Sequence, residues 1–576
     1  MMDNDEQRGD ELHKAPATAP YSKTMTDSSA LLSPGPEGFR GPFRTDLPAR
    51  ALYAEGAGIA RCVPMAVAVP ADADDAATLV RWARAIGVGL MARGSGSGMA
   101  AGAIGPGIVV DLSRFTSIEE VDVDARSVRV GAGALRADVD AKARATGLRF
   151  PVDPSSGAFC TVGGMAATNA AGARTLRFGA MRPWVRGLHC VFDDGSQGWV
   201  HRDRPLPMNI PAVARLAQTL EQLSAHGDPT VFRRPGVRKE SSGYGVAAAL
   251  DPGGHLVDLL VGSEGTLALF TELELALTPV AGATATVMAT FATLEEATGC
   301  AVEARQAGAS ACELLDRTFL DVAERGGPTG VPADAEAVLL TEVEGGSRDE
   351  CAHNALIMNA FCRSHGAISV VNAGDKESER ELWALRHAAS PILSQLAPRL
   401  RSMQFIEDGC VPPEQFPAYV RGVREALRRF DTVGVIFGHA GDAHAHVNPL
   451  VDTMAAGWRD RVHGLLDTVC ELTASLGGTL AGEHGDGRLR APLLPRVWSP
   501  EARAAFANVK AAADPAGVLN PGCKITLGDP GDTDPIGVLR HDPEAPPLPS
   551  AVRAALDEVE RSRRWHQFRL DLVPPA

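Results

Sequence analysis

Three segments of this chain are almost without side chains: Arg93-Gly94-Ser95-Gly96-Ser97-Gly98; Asp153-Pro154-Ser155-Ser156-Gly157 with Thr161 to Gly172; and Gly262-Ser263-Glu264-Gly265-Thr266. Residues this small bury little apolar area, so such runs do not build a core. Closely spaced glycines instead present bare N–H groups as an anion-binding nest. The run from Thr161 through Gly163, Gly164, Thr168 and Asn169 to Gly172 lets a flat, extended ligand lie against backbone, with Thr and Asn adding directional hydrogen bonds. Gly96 to Ala101 also satisfies the degenerate GxGxxA dinucleotide pattern, but Gly105-Pro106-Gly107 leaves no room for the helix that pattern needs.

Around these runs the periodicity predicts a strand at Met65–Val69 and a helix capped within Asp72–Asp75, with Leu79, Ala83 and Ile86 on its apolar face and Gly87 as its stop. Strands at Val88–Met91 and Ile108–Leu112, a hairpin-like segment at Val121–Gly131 and a helix at Leu135–Thr146 follow. From residue 281 to about 500 longer helical patterns alternate with strands, which reads as a second domain, and the amphipathic stretch Val552–Arg564 reads as a solvated surface helix.

Gly438-His439-Ala440-Gly441-Asp442-Ala443-His444-Ala445-His446-Val447-Asn448 places three histidines in eight residues. Imidazole suits zinc and its neighbours. In an extended segment His444 and His446 share a face and His439 does not, so a shared metal requires the Gly441-Asp442 turn to redirect the chain; surface histidines are the other reading. Glu483-His484 sits between Gly482 and Gly485, and Arg386 and Ser390 fall one helical turn apart in Trp383-Ala384-Leu385-Arg386-His387-Ala388-Ala389-Ser390.

Fifty-six Lys and Arg against 71 Asp and Glu leave a net charge of −15, which argues against nucleic acid and against a polybasic membrane anchor. The ten scattered cysteines contain no CxxC and read as reduced thiols. No apolar secretory core and no transmembrane span is expected, which points to the cytoplasm, with peripheral membrane association as the alternative.

The glycine runs, the Gly262 to Thr266 turn and the terminal Leu519-Asn520-Pro521-Gly522, in this order over roughly residues 45–525, resemble the vanillyl-alcohol oxidase-type flavoproteins, specifically the FAD-linked D-2-hydroxyacid dehydrogenases (D-lactate, glycolate and D-2-hydroxyglutarate dehydrogenase-like). The resemblance implies an α+β fold: a two-subdomain FAD-binding domain at 46–280 and an α/β cap with an antiparallel sheet at 281–500. It further implies a return of 501–528 to the first domain, with 1–45 a leader and 529–576 a tail.

It implies FAD held by Arg93, Gly94, Ser95, Gly96, Ser97 and Gly98 around the diphosphate, and by Asp153, Pro154, Ser155, Thr161, Gly163, Gly164, Thr168, Asn169 and Gly172. Gly262, Glu264, Gly265, Thr266 and Asn520 complete that set. Covalent relatives carry His where Ser97 stands, so non-covalent FAD is implied; Cys523 before Lys524 departs from the family's Asn-Pro-Gly-Lys ending. A divalent metal, zinc or manganese, falls on His439, His446 and Glu483, with Ala443 and His444 replacing Gly and Asn inside the motif. His444 stands open as a ligand, a hydrogen-bonding substitute or a tolerated residue.

Arg386 matches the substrate-carboxylate clamp, with Ser390 and Asn448 beside the substrate, and His484 the base. Ile406 stands where dicarboxylate-selective relatives have Lys. The implied reaction is oxidation of a D-2-hydroxy acid to the 2-oxo acid with hydride passing to flavin N5. The electrons would leave to a quinone or a separate iron–sulfur or other electron-transfer protein. A flavin oxidase of the same superfamily, a metal-dependent hydrolase using the His/Glu cluster and a non-enzymatic flavin scaffold are the competing readings.

Overall fold

The computed structural model describes residue 32 and residues 34–226, 228–393 and 399–573; most of the expected leader lies outside them, and side chains are described only to Arg386 in the helix Lys376–Leu393. Within the leader's described end, β1 (Phe43–Arg44) pairs antiparallel with β2 (Ala66–Ala68), so this stretch is part of a sheet. β2, β3 (Leu90–Arg93) and β4 (Ile108–Asp111) run parallel in the order β1-β2-β4-β3. The connecting helix Ala73–Ile86 begins where Asp72 accepts the Asp75 N–H and ends at Gly87 in the left-handed region. Leu79 and Ala83 are buried as expected, but Ile86 in the last turn is exposed. The 94–107 connection contains no helix.

β5 (Ser127–Gly131), β7 (Val185–Val191), β8 (Gln197–His201) and β9 (Leu269–Ala276) form a second, antiparallel sheet in the order β5-β9-β7-β8. β6 (Leu148–Arg149) and β10 (Thr278–Pro279) make a two-stranded pair beside it. The third sheet is wholly antiparallel and ordered β14-β11-β13-β12-β17-β18-β15, with β16 also on β18. Its strands are β11 (Ala283–Phe291), β12 (Ala311–Asp316), β13 (Ala337–Gly345), β14 (Ser369–Asn372), β15 (Leu400–Ser402), β16 (Gly409–Cys410), β17 (Val433–Gly438) and β18 (His444–Asp452). The helices Leu294–Glu303 and Phe416–Arg429 pack their apolar faces into the same core as this sheet. Helix Pro500–Ala513 then packs on Pro211–His226, and Leu519 bridges to Leu90 of the first sheet.

Arginines of the first half grip carboxylates of β13 in the second. Arg149 reaches both oxygens of Glu344 at 2.8 and 2.9 Å, and Arg174 reaches both oxygens of Glu342 at 2.8 and 2.6 Å while also pairing with Asp153. The tail helix Ser550–Ser562 packs on the surface through Val552, Leu556 and Val559, the first two in a core shared with Leu52 and Tyr53.

Candidate active site

The glycine loop after β3 opens onto a cavity of about 1160 Å³ between the halves of the molecule. Gly94, Ser95, Gly96, Ser97 and Gly98 line it; Pro154, Ser155, Thr161, Gly164 and Thr168 form the adjoining wall, and Glu264 and Gly265 lie on it too. Gly96 has φ +75°, and a Cβ there would run into the Arg93 guanidinium beneath it.

The Arg93 side chain is therefore behind the loop rather than in the cavity. It is 1% exposed and donates to the backbone oxygens of Glu55 (2.9 Å) and Tyr53 (3.4 Å). The 161–172 run is also more structured than an open surface for a flat ligand. Thr161 caps a helix Val162–Thr168, and Asn169 ends it in the left-handed region while its Oδ1 accepts the Arg182 N–H.

Gly163, Gly172, Gly262, Thr266, Asp153 and Asn520 likewise do not line the cavity. A Cβ on Gly172 would overlap the Asp153 carbonyl, so that glycine serves close backbone packing. Asn520 donates to Glu264 O and Gly102 O at 2.6 and 2.9 Å. Glu264 accepts the N–H groups of Asp486 and Gly487 at 2.8 and 3.0 Å, which ties the glycine-lined wall to the Glu483 loop. Lys524 is buried on Asp486, Glu264 and two carbonyls and likewise is not part of the cavity wall.

The histidine cluster is assembled by a reversal between β17 and β18. A 3₁₀ turn at Ala440–Asp442 and a left-handed Ala443 (φ 56°) redirect the chain, so His439 and His446 face one another with ring centroids 5.2 Å apart. Glu483 Oε1 lies 3.2 Å from His439 Nε2 and 3.3 Å from His446 Nε2. Each ring uses its other nitrogen outward: His439 Nδ1 to Glu313 Oε1 at 2.5 Å, and His446 Nδ1 to the Glu407 carbonyl at 3.0 Å. Two imidazole Nε2 atoms and one carboxylate oxygen converging, with the outer nitrogens fixed by acceptors, form a donor set that fits a divalent cation.

Against the effect of burial, Lys239 and His439 hold Glu483 well below the ordinary carboxylate range, Lys239 Nζ sitting 2.7 Å from Glu483 Oε2. Burial likewise opposes protonation of His446, yet Glu407 and Glu483 raise it to about 10.

His444 belongs to the same group of potential ligands, whose atoms lie within 4.8 Å of one another. Both its nitrogens are engaged, Nε2 with Asp408 at 2.9 Å and Nδ1 with Lys239 Nζ at 3.4 Å. Burial and Lys239 push it down to about 3, so it is neutral.

His484 stacks on His446 with an interplanar angle of 17°, and its Nδ1 lies 2.7 Å from Glu407 Oε2. Burial lowers its proton affinity, but Glu407 and Asp408 raise it on balance. Arg386 projects into the cavity from helix Lys376–Leu393, over the Phe437 ring, with Nε on Glu313 Oε2 at 2.6 Å. Asn448, on the same face of β18 as His446, lines the cavity as well. The Ser390 side chain lies outside what is described.

The sequence reading did not assign roles to Glu313, Glu407, Asp408, Lys239 or Arg490. Arg490 pairs with Glu407 and donates to Gly485 O at 2.6 Å, which holds the Glu483-His484 loop. Glu313 carried one usable signal: a carboxylate in the otherwise apolar Ala311-Cys312-Glu313-Leu314-Leu315. The tail was also missed, since Arg540, His541, Arg563 and Trp565 reach the cavity rim.

Residues 64–200 match a family model described as an FAD binding domain, and residues 281–523 match one described as FAD linked oxidases, C-terminal domain. The chain is 31% identical over 460 residues to a D-lactate dehydrogenase of Archaeoglobus fulgidus, covering 79% of this chain and 90% of that one. It is 30% identical over 465 residues to the glycolate oxidase subunit GlcD of Bacillus subtilis, covering 80% and 88%. A D-2-hydroxyglutarate dehydrogenase of Pseudomonas putida is 29% identical over 561 residues, covering 92% of this chain and 54% of that longer one. Among solved structures, 4-ethylphenol oxidase from Gulosibacter chungangensis superposes with TM-score 0.61 at 13% identity, covering 84% of this chain and 94% of that one. An alkyldihydroxyacetonephosphate synthase does so with TM-score 0.58 at 13% identity, covering 89% and 87%. The chain thus shares its fold with these two enzymes.

Proposed function

Because this chain belongs to the family of FAD-linked 2-hydroxy-acid dehydrogenases and oxidases, we propose that it oxidises a D-2-hydroxy acid to the 2-oxo acid in the cavity between its two halves. The observation that carries this is the meeting of Arg386, His446, Glu483 and His484 in one cavity with the glycine loop, with His439 completing the His446/Glu483 donor set. FAD bound there supplies hydride-accepting chemistry at N5. His439, His446 and Glu483 would hold a divalent metal, zinc or manganese, whose chemistry is to polarise a ligated hydroxyl.

Arg386 orients the substrate carboxylate. Glu313 occupies its Nε and leaves the terminal nitrogens for a paired contact, while Phe437 supports the guanidinium plane. His484 removes the hydroxyl proton. Its Nδ1 is fixed on Glu407, so Nε2 is the atom available to the substrate. Glu407 and Asp408 raise its proton affinity, and positive charge held by the neighbouring cluster works in the opposite sense. Asn448 adds a neutral amide beside them.

The electrons would pass to a quinone or a separate electron-transfer protein. No helix among the described residues is long and apolar enough to cross a membrane. A metal-dependent hydrolase would use the cluster but leave the glycine-lined wall idle.

The test is anaerobic flavin bleaching against D- and L-2-hydroxy acids. A D-acid should bleach the flavin, with Arg386→Met lowering kcat/KM roughly 10²-fold and His484→Asn slowing reduction roughly 10²–10⁴-fold at unchanged FAD content. Flavin that no hydroxy acid reduces would overturn the reading.

A further inference from the structure

The C-terminal tail carries a second buried arginine with nothing to bond. Arg569, in the tail, is 3% exposed, and among the described residues none of its three guanidinium nitrogens has a hydrogen-bond partner. Its one close neighbour of note is the Trp565 ring, 5.1 Å from the guanidinium carbon. A buried, unpartnered guanidinium is costly, and the structure makes it costlier by seating it near Arg93. Burial first, and then Arg93, push Arg569 down to about 9.

The local carboxylates do not balance this charge. Asp111 is already held by the Tyr53 hydroxyl at 2.5 Å and the Ser113 N–H at 2.8 Å. Glu55 is shared by Arg61 at 2.7 Å and Arg553 at 2.8 Å, and Arg553 also reaches the exposed Asp557. Among the described residues neither Arg93 nor Arg569 is therefore left a carboxylate partner of its own.

What the Arg93 charge does face is the underside of Gly96: the guanidinium lies directly beneath that residue, and the other side of the loop is cavity wall. Arg569 joins the same cluster, because its neighbours Phe568 and Leu570 pack on the core that holds Tyr53, whose ring lies 5.3 Å from the Arg93 guanidinium carbon. An anion resting on the loop would be separated from Arg93 by one thickness of backbone.

We propose that Arg569, delivered by the C-terminal tail, acts with Arg93 as a buried positive charge behind the glycine loop and strengthens binding of the diphosphate of FAD. The tail is then part of cofactor retention, although it lies beyond the residues that match the two family models. The inference rests on the FAD reading of the loop. It assigns Arg569 a positioning field, not a contact.

The test uses full-length protein, freed of flavin by dialysis against concentrated bromide and titrated with FAD, ADP and riboflavin. Arg569→Met should weaken FAD and ADP by roughly tenfold, the scale of one unit charge felt through protein at an effective dielectric of about 20, and leave riboflavin unchanged. Because the variant loses an unpaired buried charge, the flavin-free protein should melt no lower than wild type, and Arg569→Lys should regain part of the ADP affinity.

A purely structural arginine predicts the opposite pair: a lower melting temperature with ADP affinity intact. That result overturns the proposal, as does equal loss of riboflavin and ADP. If wild type itself binds neither FAD nor ADP, the cofactor reading fails first and this inference falls with it.

Discussion

Glu313→Gln is the most informative single change at the site. Glu313 is wholly buried in β12 and accepts two charge-assisted hydrogen bonds, from His439 Nδ1 at 2.5 Å and Arg386 Nε at 2.6 Å. Despite burial, these two partners hold its carboxyl far below the ordinary range. Glutamine keeps the shape but has one acceptor oxygen, so its amide N–H₂ must oppose one of the two donors.

A hydrogen bond to a charged group is worth about 1.5–3 kcal/mol, and loss of an acceptor behind a metal-ligating histidine costs roughly 10–100-fold in metal affinity. The expected phenotype is double: metal held roughly 10–100-fold more weakly, and kcat/KM lowered at least about tenfold even with metal restored, because Arg386 loses its anchor. Chelator competition with elemental analysis reads the first effect, and flavin reduction at saturating metal reads the second. Metal retention and kcat/KM both within threefold of wild type would show that Glu313 links nothing.

Acid precipitation should release all the flavin into the supernatant, since Ser97 offers no imidazole for a covalent bond; flavin remaining on the denatured chain contradicts this. Chelation to metal-free protein, checked by elemental analysis, should abolish flavin reduction by a hydroxy acid while FAD stays bound, and full activity without metal would make the cluster structural.

His541 is pushed down to about 3 by burial and by Arg540 and Arg401. Unfolded, it titrates near 6.5, so the folded state binds fewer protons between these values and its contribution to stability is lost as pH falls below about 6.5. At pH 5 the loss is at most about 2 kcal/mol, and His541→Gln should melt closer to its neutral-pH temperature there; an identical pH profile would refute it.

Much of the site could be read before any coordinates because its parts are local. The turn that joins His439 to His446 is encoded within eight residues, and the glycine loop within six. What the sequence withheld depends on chain segments far apart. Lys239 and Glu483 are separated by 244 positions and Glu313 and His439 by 126, so no spacing rule joins them. Arg93 shows the opposite failure: its place in the motif was legible, but only packing reveals that the side chain turns back beneath Gly96. The tail was legible for only one of its faces. The apolar stripe packs on the core with Leu52 and Tyr53, but an amphipathic pattern does not say that polar residues such as Arg553 and Asp557 reach a cavity.

The grip of Arg149 and Arg174 on β13 bears on how molecules enter and leave. Arg149 and Glu344 are almost fully buried, and parting a buried pair by stranding one partner costs about 3–5 kcal/mol. The two walls of the cleft are thus clamped before any ligand arrives, unlike an enzyme that swings open and shuts on its substrate. β15 and the tail both line the cavity, and Arg401, Met454, Asp557, Arg561 and Arg563 are exposed side chains among its lining residues. Turnover limited by passage would then respond to the bulk of these side chains, and not to any loosening of the joint between the halves.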